Sequence, residues 1–416
     1  MEVFKFGGAS VKDAKGVRNF LSVLQSLEVK DVLIVISAMG KMTNAFENIV
    51  RNFFKSKDKA LKNLEDAKLF HLRILEDLEF SKADQIYTEI DTIFSELKAF
   101  MSVNNSTDYD YVYDQIVGHG EFLSTRICSA FLRLNSFDHQ WLDVRKCIKT
   151  NSDFRRARVN WEATDKLIKD NVAIEGITIT QGFLGSDNFG RTTTLGREGS
   201  DYSAGIFAYC LDVKEVSIFK DVPGVLNADP REFDRTRLIE RMSYKEAIEM
   251  AFYGASVIHP KTLQPLQRKD IPLKVRSFLD PRLTGTLIHN GEDIVPRMPC
   301  FIVKKEQILI SISDREFHFV MEEDISDIFG LLHQFKMKVN LIQNSALNFS
   351  VCVENNFNNF SALLKALEPK YKVKYNEDLT LYTIRHFAER DIRGIELNRE
   401  VLLKQRSREA VQVIVK

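Results

Sequence analysis

Four groups of residues in this chain suit chemistry on small charged molecules: Lys5-Phe6-Gly7-Gly8, His119-Gly120-Glu121, Leu195-Gly196-Arg197-Glu198-Gly199-Ser200-Asp201, and Phe219-Lys220-Asp221. The first reads as a strand running into glycines and then a helix. Bare backbone N–H groups in such a turn can face a phosphate while a lysine neutralises it. The third, preceded by Thr192-Thr193-Thr194, sets an arginine, several hydroxyls and an aspartate on one glycine-bearing turn. Together they suit phosphoryl transfer to a small acid, which needs the nucleophile held in line and the developing charge neutralised.

The elements that must position these groups alternate. Glu2 to Phe6 and Val32 to Ala38 read as buried strands, the second nearly all apolar as expected of a parallel sheet covered on both faces. Between them Val17, Phe20, Leu21 and Leu24 recur at helical spacing, so the opening is a βαβ unit. From Thr43 to about Asp114 the text is helical and charged, with Phe46, Ile49, Val50 and Phe53 on one face. Strand-like runs return at Gln140 to Val144, Ile177 to Phe183, Glu215 to Val222 and Pro272 to Phe278, interleaved with helices, which predicts an α/β sandwich. Ser243 and Glu246 spell a capping box ahead of a short helix. Ser37 and Thr43 lie just beyond the second strand, where open α/β sheets place ligands.

Past the segment Gly291 to Pro299 the pattern changes to β-α-β-β-α-β: Ile308 to Ser313, helix Ile325 to Phe335, Val339 to Asn344, Phe349 to Glu354, helix Phe360 to Leu367, and Leu379 to Arg385. The stretch Ala388 to Lys416 is too short for a second full unit of this kind. The predicted domains are therefore 1–299, with a helical insert at about 43–114, and 300–416.

The chain has 416 residues, beyond one ordinary core at roughly 150 residues per domain. Lysine plus arginine equal aspartate plus glutamate at 58 each, so no global field favours nucleic acid. The five cysteines are widely separated, without zinc or disulfide spacing, and no apolar stretch reaches the roughly 18 residues that span a bilayer. A cytoplasmic protein without a membrane partner is expected.

On the residues alone, several readings stay open. Lys5 is equally a solvated strand end, Thr43 an N-cap, Glu121 a helix-surface acid and Arg231 a surface arginine in a proline turn. His119 and His259 have neither a neighbouring nucleophile nor metal-ligand spacing, which leaves them core or turn roles, and no protein-held metal is visible.

The order of the motifs resembles the aspartokinases of the amino-acid kinase superfamily. The resemblance rests on KFGGAS from Lys5, Ser37-Ala38, Thr43-Asn44, HGE ending at Glu121, TQGF from Thr180, TTTLGREGSDY ending at Tyr202, DVPGVLNADPR ending at Arg231 and YGASVIHP ending at Pro260. It implies an αβα sandwich of the amino-acid kinase (carbamate-kinase-like) type followed by a ferredoxin-like ACT domain. The implied activity is ATP-dependent phosphorylation of the aspartate side chain, the first step toward lysine, threonine and methionine.

By this resemblance Lys5, Gly7, Gly8, Lys220, Asp221, Leu226, Arg231 and the position of Ser256 contact ATP, which brings its own Mg²⁺. Ser37, Thr43, Glu121, Arg197 and Asp201 form the aspartate pocket, with Glu121 on the ammonium, Arg197 on the α-carboxylate, and Lys5 and Asp201 at the reacting centre. A homodimer or higher oligomer through the ACT-like region is implied, and Asn340 stands where lysine-sensitive relatives often have an aspartate. Departures from the pattern are Ala9 for a hydroxyl residue, Glu198 for glycine, Phe219-Lys220 for tryptophan and threonine, Leu226 for an aromatic, and Ser256 for a lysine. They leave as alternatives an effector-binding protein with weak or lost kinase activity, or a sister kinase of the superfamily.

Overall fold

The structure is a computed structural model and describes every residue except Ser256, Val257, Glu292, Asp293 and Phe317. It divides into two compact units. The first comprises Met1–Val225, Leu238–Ile248 and Val257–Val295; the second comprises Leu226–Arg237, Glu249–Ser256 and Pro296–Lys416.

The first unit is built on a sheet of nine strands: β1 (Glu2–Phe6), β2 (Val32–Ile36), β3 (Gln140–Leu142), β4 (Ile177–Gln181), β7 (Val216–Lys220), β8 (Arg241–Ser243), β9 (Leu273–Ser277), β10 (Thr286–His289) and β11 (Ile294–Val295). A hairpin of β5 (Leu184–Ser186) and β6 (Thr192–Thr194) stands apart from it. The order is β11-β8-β10-β9-β7-β1-β2-β4-β3, and the six strands from β9 to β3 are parallel. Every residue of β2 is buried, as its unbroken apolar run requires.

The chain leaves β1 for β2 on one side and later returns as β7 on the other, so the winding reverses at β1. Ligands of open α/β sheets bind beyond the carboxyl ends of the strands at such a reversal. The register puts Phe6 opposite both Ile36 and Phe219, and Ile36 opposite Gln181. The residues that follow, Gly7, Ser37, Gly182 and Lys220, therefore line one edge.

Successive side chains of β1 alternate between faces. Phe4 and Phe6 join Phe219 in an aromatic cluster, the Phe6 and Phe219 rings stacked with centroids 4.5 Å apart and Phe20 edge-on to Phe6 at 4.8 Å. Such pairs contribute about 0.5–1.5 kcal/mol each beyond area burial. Lys5 is left facing the helix Gly199–Leu211, which packs on β1, β2, β7 and the helix Pro260–Arg268. Gly205 permits that helix crossing, since a Cβ there would come within 2.9 Å of the Thr262 carbonyl oxygen. The insert forms four helices, Met42–Phe53, Lys57–Asp77, Gln85–Val103 and Tyr109–Val117, with Phe46, Ile49, Val50 and Phe53 buried as their spacing predicts.

The second unit carries a six-stranded antiparallel sheet of β12 (Cys300–Asp314), β13 (Lys338–Asn344), β14 (Phe349–Glu354), β15 (Tyr371–Arg385), β16 (Val401–Arg406) and β17 (Ala410–Val415), ordered β13-β14-β12-β15-β17-β16. One half is the expected β-α-β-β-α-β, its helices Glu322–Gln334 and Phe360–Leu367 covering a core that includes Ile310, Ile328, Leu332, Val351 and Leu363. Its last strand differs from expectation: Tyr371 to Asn376 pairs with Leu309 to Asp314, whereas Leu381 to Arg385 lies opposite Cys300 to Lys304 on one side and β17 on the other. The C-terminal stretch completes a second half by borrowing those ends of β12 and β15. Its helix Glu389–Glu396 covers Ile384, Val411 and Val413 through Ile392 and Ile395. All five cysteines are buried, and none is in a disulfide. Among the described residues no helix is long and apolar enough to cross a membrane.

Candidate active site

Lys5 is not a solvated strand end. Its side chain is buried, and its ammonium lies 2.5 Å from Oδ1 of Asp201. Asp201 occupies the first turn of the helix Gly199–Leu211, where unpaired N–H groups favour a carboxylate. Burial pushes its carboxyl up, but Lys5 first, then Lys220 and His259, outweigh burial and hold it below the usual carboxylate range. Lys220 ends β7 half-buried, and Asp221 is exposed beyond it, so strand alternation no longer governs the pair.

Gly7 adjoins the Lys5 ammonium, which would stand 3.5 Å from a Cβ placed there. Gly8 is required for another reason. Its Cβ would sit 2.5 Å from the Ala38 carbonyl oxygen and 2.9 Å from that of Gly40, because the loops leaving β1 and β2 touch. The Gly40 N–H donates to the Gly8 carbonyl at 2.9 Å, and the Ser37 N–H donates to Phe6 at 3.1 Å. Thr43 is not an N-cap: the helix begins at Met42 with Lys41 at the cap position, so Thr43 sits in its first turn.

Glu121 is not a surface acid. It lies in the first turn of the helix His119–Leu134 and is 2 % exposed. Oε1 accepts a long hydrogen bond from the Ala38 N–H at 3.4 Å, while Oε2 is buried with no hydrogen-bond partner. Burial pushes its carboxyl up to about 8, against the opposing pull of the Ala38 N–H, its own N–H and the Lys5 charge. A buried carboxylate oxygen left unpaired is costly and marks a place suited to a donor from outside.

Arg197 is exposed on the turn between Gly196, at φ +83°, and Glu198, at φ +53°. Its guanidinium makes no hydrogen bond or ion pair among the described residues. The left-handed backbone at 198 explains why glycine is at home there, and the Glu198 side chain is exposed as its charge demands.

Leu226 and Arg231 belong to the second unit. Arg231 is exposed and forms a bidentate pair with Asp229, 2.6 Å from Nη2 to Oδ2. Ser256 lies outside the described residues. Asn340 is committed within the second unit: Oδ1 accepts from the Lys304 ammonium at 2.7 Å, and Nδ2 donates to Gln307 at 2.7 Å and Glu354 at 3.0 Å. A cavity of about 630 Å³ nearby, lined by Lys304, Gln307, Glu354, Asn355 and Asp378 among others, contains none of the candidate aspartate or ATP contacts.

His259 does take a turn role: it caps the helix Pro260–Arg268 by accepting from the Lys261 N–H at 3.2 Å. Burial lowers its pKa, and it feels the charges of Glu198, Arg197 and Asp201. Only the fold brings them within reach. Among the described residues no group of three or more His, Cys, Asp or Glu side chains could hold a metal ion.

Residues 1–277 match the model of the amino acid kinase family. Lysine-sensitive aspartokinase 3 of Escherichia coli is 31% identical over 392 residues, 92% of this chain and 86% of that protein. The crystal structure of E. coli aspartokinase III in complex with lysine and aspartate, in the T-state, superposes with a TM-score of 0.85 at 29% identity, covering 100% of this chain and 96% of the other. The same enzyme with aspartate and ADP, in the R-state, gives a TM-score of 0.82 at 29% identity over the same shares.

Proposed function

This chain belongs to the amino acid kinase family, among the aspartokinases, and from that premise we infer that it is an aspartate kinase: ATP and L-aspartate give ADP and 4-phospho-L-aspartate. The observation that carries the site assignment is the pair of buried carboxyl groups in opposite conditions at one sheet edge. Asp201 is ion-paired with Lys5 and held in its charged form, whereas burial drives Glu121 toward its neutral form and leaves its Oε2 without a hydrogen-bond partner.

The acceptor carboxylate of aspartate, with a pKa near 4, is already ionised at neutral pH and needs no general base. Catalysis then consists of positioning and charge neutralisation. Glu121 receives the substrate ammonium and Arg197 forks the α-carboxylate, with Ser37 and Thr43 donating hydroxyls. Lys5 and Lys220 face the phosphates together with the N–H groups of Gly7 and Gly8, and Asp201 orients Lys5 beside the reacting carboxylate. Mg²⁺ enters with ATP as part of the substrate. Asp221 stands at the strand end that would meet the nucleotide. Leu226, Arg231 and position 256 enter as nucleotide contacts from the resemblance alone.

The product would feed lysine, threonine and methionine synthesis by the diaminopimelate route, in the cytoplasm, with the ACT-like unit pairing subunits. An effector-binding protein without kinase activity has no observation in its favour. Release of ADP assayed with aspartate, glutamate and UMP in turn tests the reading, and turnover with aspartate alone is expected. Turnover with glutamate or UMP in preference to aspartate, or with none of the three, would overturn it.

A further inference from the structure

Asp114 is fully buried on the helix Tyr109–Val117, and among the described residues it has no cationic partner. Three uncharged donors converge on its carboxylate. The Arg155 N–H lies 3.1 Å from Oδ1 and 3.0 Å from Oδ2, the Thr194 N–H donates to Oδ2 at 2.8 Å, and the Thr194 hydroxyl donates to Oδ1 at 2.7 Å. A buried carboxylate answered only by neutral dipoles is an expensive way to hold a core together, and an apolar side chain of similar size would serve stability as well. Burial pushes this carboxyl up to about 6 in spite of all three donors.

The partners explain the expense. Thr194 ends β6 and leads through Leu195 and Gly196 directly to Arg197. Arg155 itself has a left-handed backbone, at φ +64°, and its carbonyl oxygen lies 3.2 Å from where a Cβ on Gly196 would stand. One carboxylate therefore ties together the two segments that shape the turn presenting Arg197. The next residue adds to the clamp, as Gln115 Nε2 donates to the Thr192 carbonyl at 2.8 Å. At its other end the same helix leads through Gly118 into the helix that carries Glu121.

We propose that Asp114 is a positioning residue for aspartate, setting the Arg197 turn relative to Glu121 so that the two charged ends of the substrate are met at once. It touches no substrate atom. This role rests on the aspartate kinase reading, and a carboxylate serves it better than an amide, because the Arg155 N–H lies close to both oxygens and an asparagine in either orientation would set its NH₂ against that donor.

The test is steady-state ADP release by Asp114→Asn, Thr194→Val, Arg197→Ala and the double variant Asp114→Asn/Arg197→Ala. Asp114→Asn should raise the aspartate KM about tenfold, with the ATP KM within about twofold of wild type and kcat little changed. Thr194→Val removes only the hydroxyl donor and should move the aspartate KM the same way by about threefold; it carries the test alone if Asp114→Asn does not fold. In the Arg197→Ala background Asp114→Asn should add almost nothing, because it acts through that arginine. A wild-type aspartate KM in folded Asp114→Asn, a parallel loss in both substrates, or full additivity with Arg197→Ala would overturn the role. Absence of aspartate-dependent ADP release in the wild-type chain would instead overturn the functional reading, and this role with it.

Discussion

The ammonium of Lys5 and the carboxylate of Asp201 meet at 2.5 Å with both side chains withdrawn from solvent, one from the sheet and one from the first turn of the helix laid across it. Removing one partner of such a pair strands the other charge in a poor solvent, at a cost of about 3–5 kcal/mol.

Lys5→Met and Asp201→Asn are each expected to cut kcat by about a hundredfold or more, because they act where charge develops. Both should also lower the thermal midpoint. The double variant, with no stranded charge, should be more stable than at least one of the singles, which differential scanning calorimetry would establish. Wild-type turnover in either folded single variant contradicts the assignment.

Glu121 gives a pH dependence with a definite sign. Its carboxyl, raised to about 8, is protonated at neutral pH in the free protein and must lose that proton to receive an ammonium group. kcat/KM for aspartate should therefore climb with pH below about 8, approaching tenfold per unit, and level off above it. Glu121→Gln should flatten this limb and raise the aspartate KM about tenfold. The same raised pKa stabilises the fold fully below the unfolded value of 4.5, and that contribution fades as pH rises toward 8. A flat wild-type profile from pH 6 to 8.5 would remove Glu121 from the ammonium site.

Arg197→Ala should raise the aspartate KM about tenfold and leave both the ATP KM and the melting temperature unchanged. Its side chain is exposed and bonds to nothing among the described residues, so nothing of the fold is lost with it. Calorimetry alongside the kinetics separates the two effects.

Lys220→Ala should raise the ATP KM about tenfold and spare aspartate, because Lys220 stands at the end of β7 and its charge reaches Asp201. Losing that charge also relaxes the depression of the Asp201 carboxyl, so the acid limb of kcat should move to higher pH. Lys261, exposed in the first turn of the helix Pro260–Arg268, is the second choice for the cation that Ser256 does not supply. Normal ATP saturation in both alanine variants would exclude this compensation.

Inhibition by lysine is expected to be weak. Asn340 has no carboxylate to offer an effector's ammonium, and its amide is already bonded to Lys304, Gln307 and Glu354. Half-inhibition at micromolar lysine would contradict this.

The central strands were legible because burial on both faces leaves an unbroken apolar run, as in Val32 to Ile36, and the edge they share follows from their parallel register. What could not be read were relations between distant segments. Nothing around Lys5 announces Asp201, and nothing around Asp114 announces Thr194, 80 residues away. Tyr371, Val373 and Tyr375 escaped as a strand because lysines alternate with them on an exposed face, and a period of two in a charged stretch resembles a loop. The second half of the C-terminal sheet was hidden for a different reason: it has no strands of its own for two of its four positions, and shares the long β12 and β15 with its neighbour.

The cysteines equip the chain with internal reporters of its own opening. Burial pushes the thiols of Cys128, Cys147, Cys210 and Cys352 up to about 12, so at pH 8 roughly one in ten thousand is a thiolate, and alkylation of the closed protein is correspondingly slow. Modification must then await local unfolding, and its rate at each site measures how often that neighbourhood breathes. Three of these thiols lie in the first unit and Cys352 in the second. Mass-resolved labelling of the unmodified chain could therefore rank the two units by their opening free energies without a single substitution.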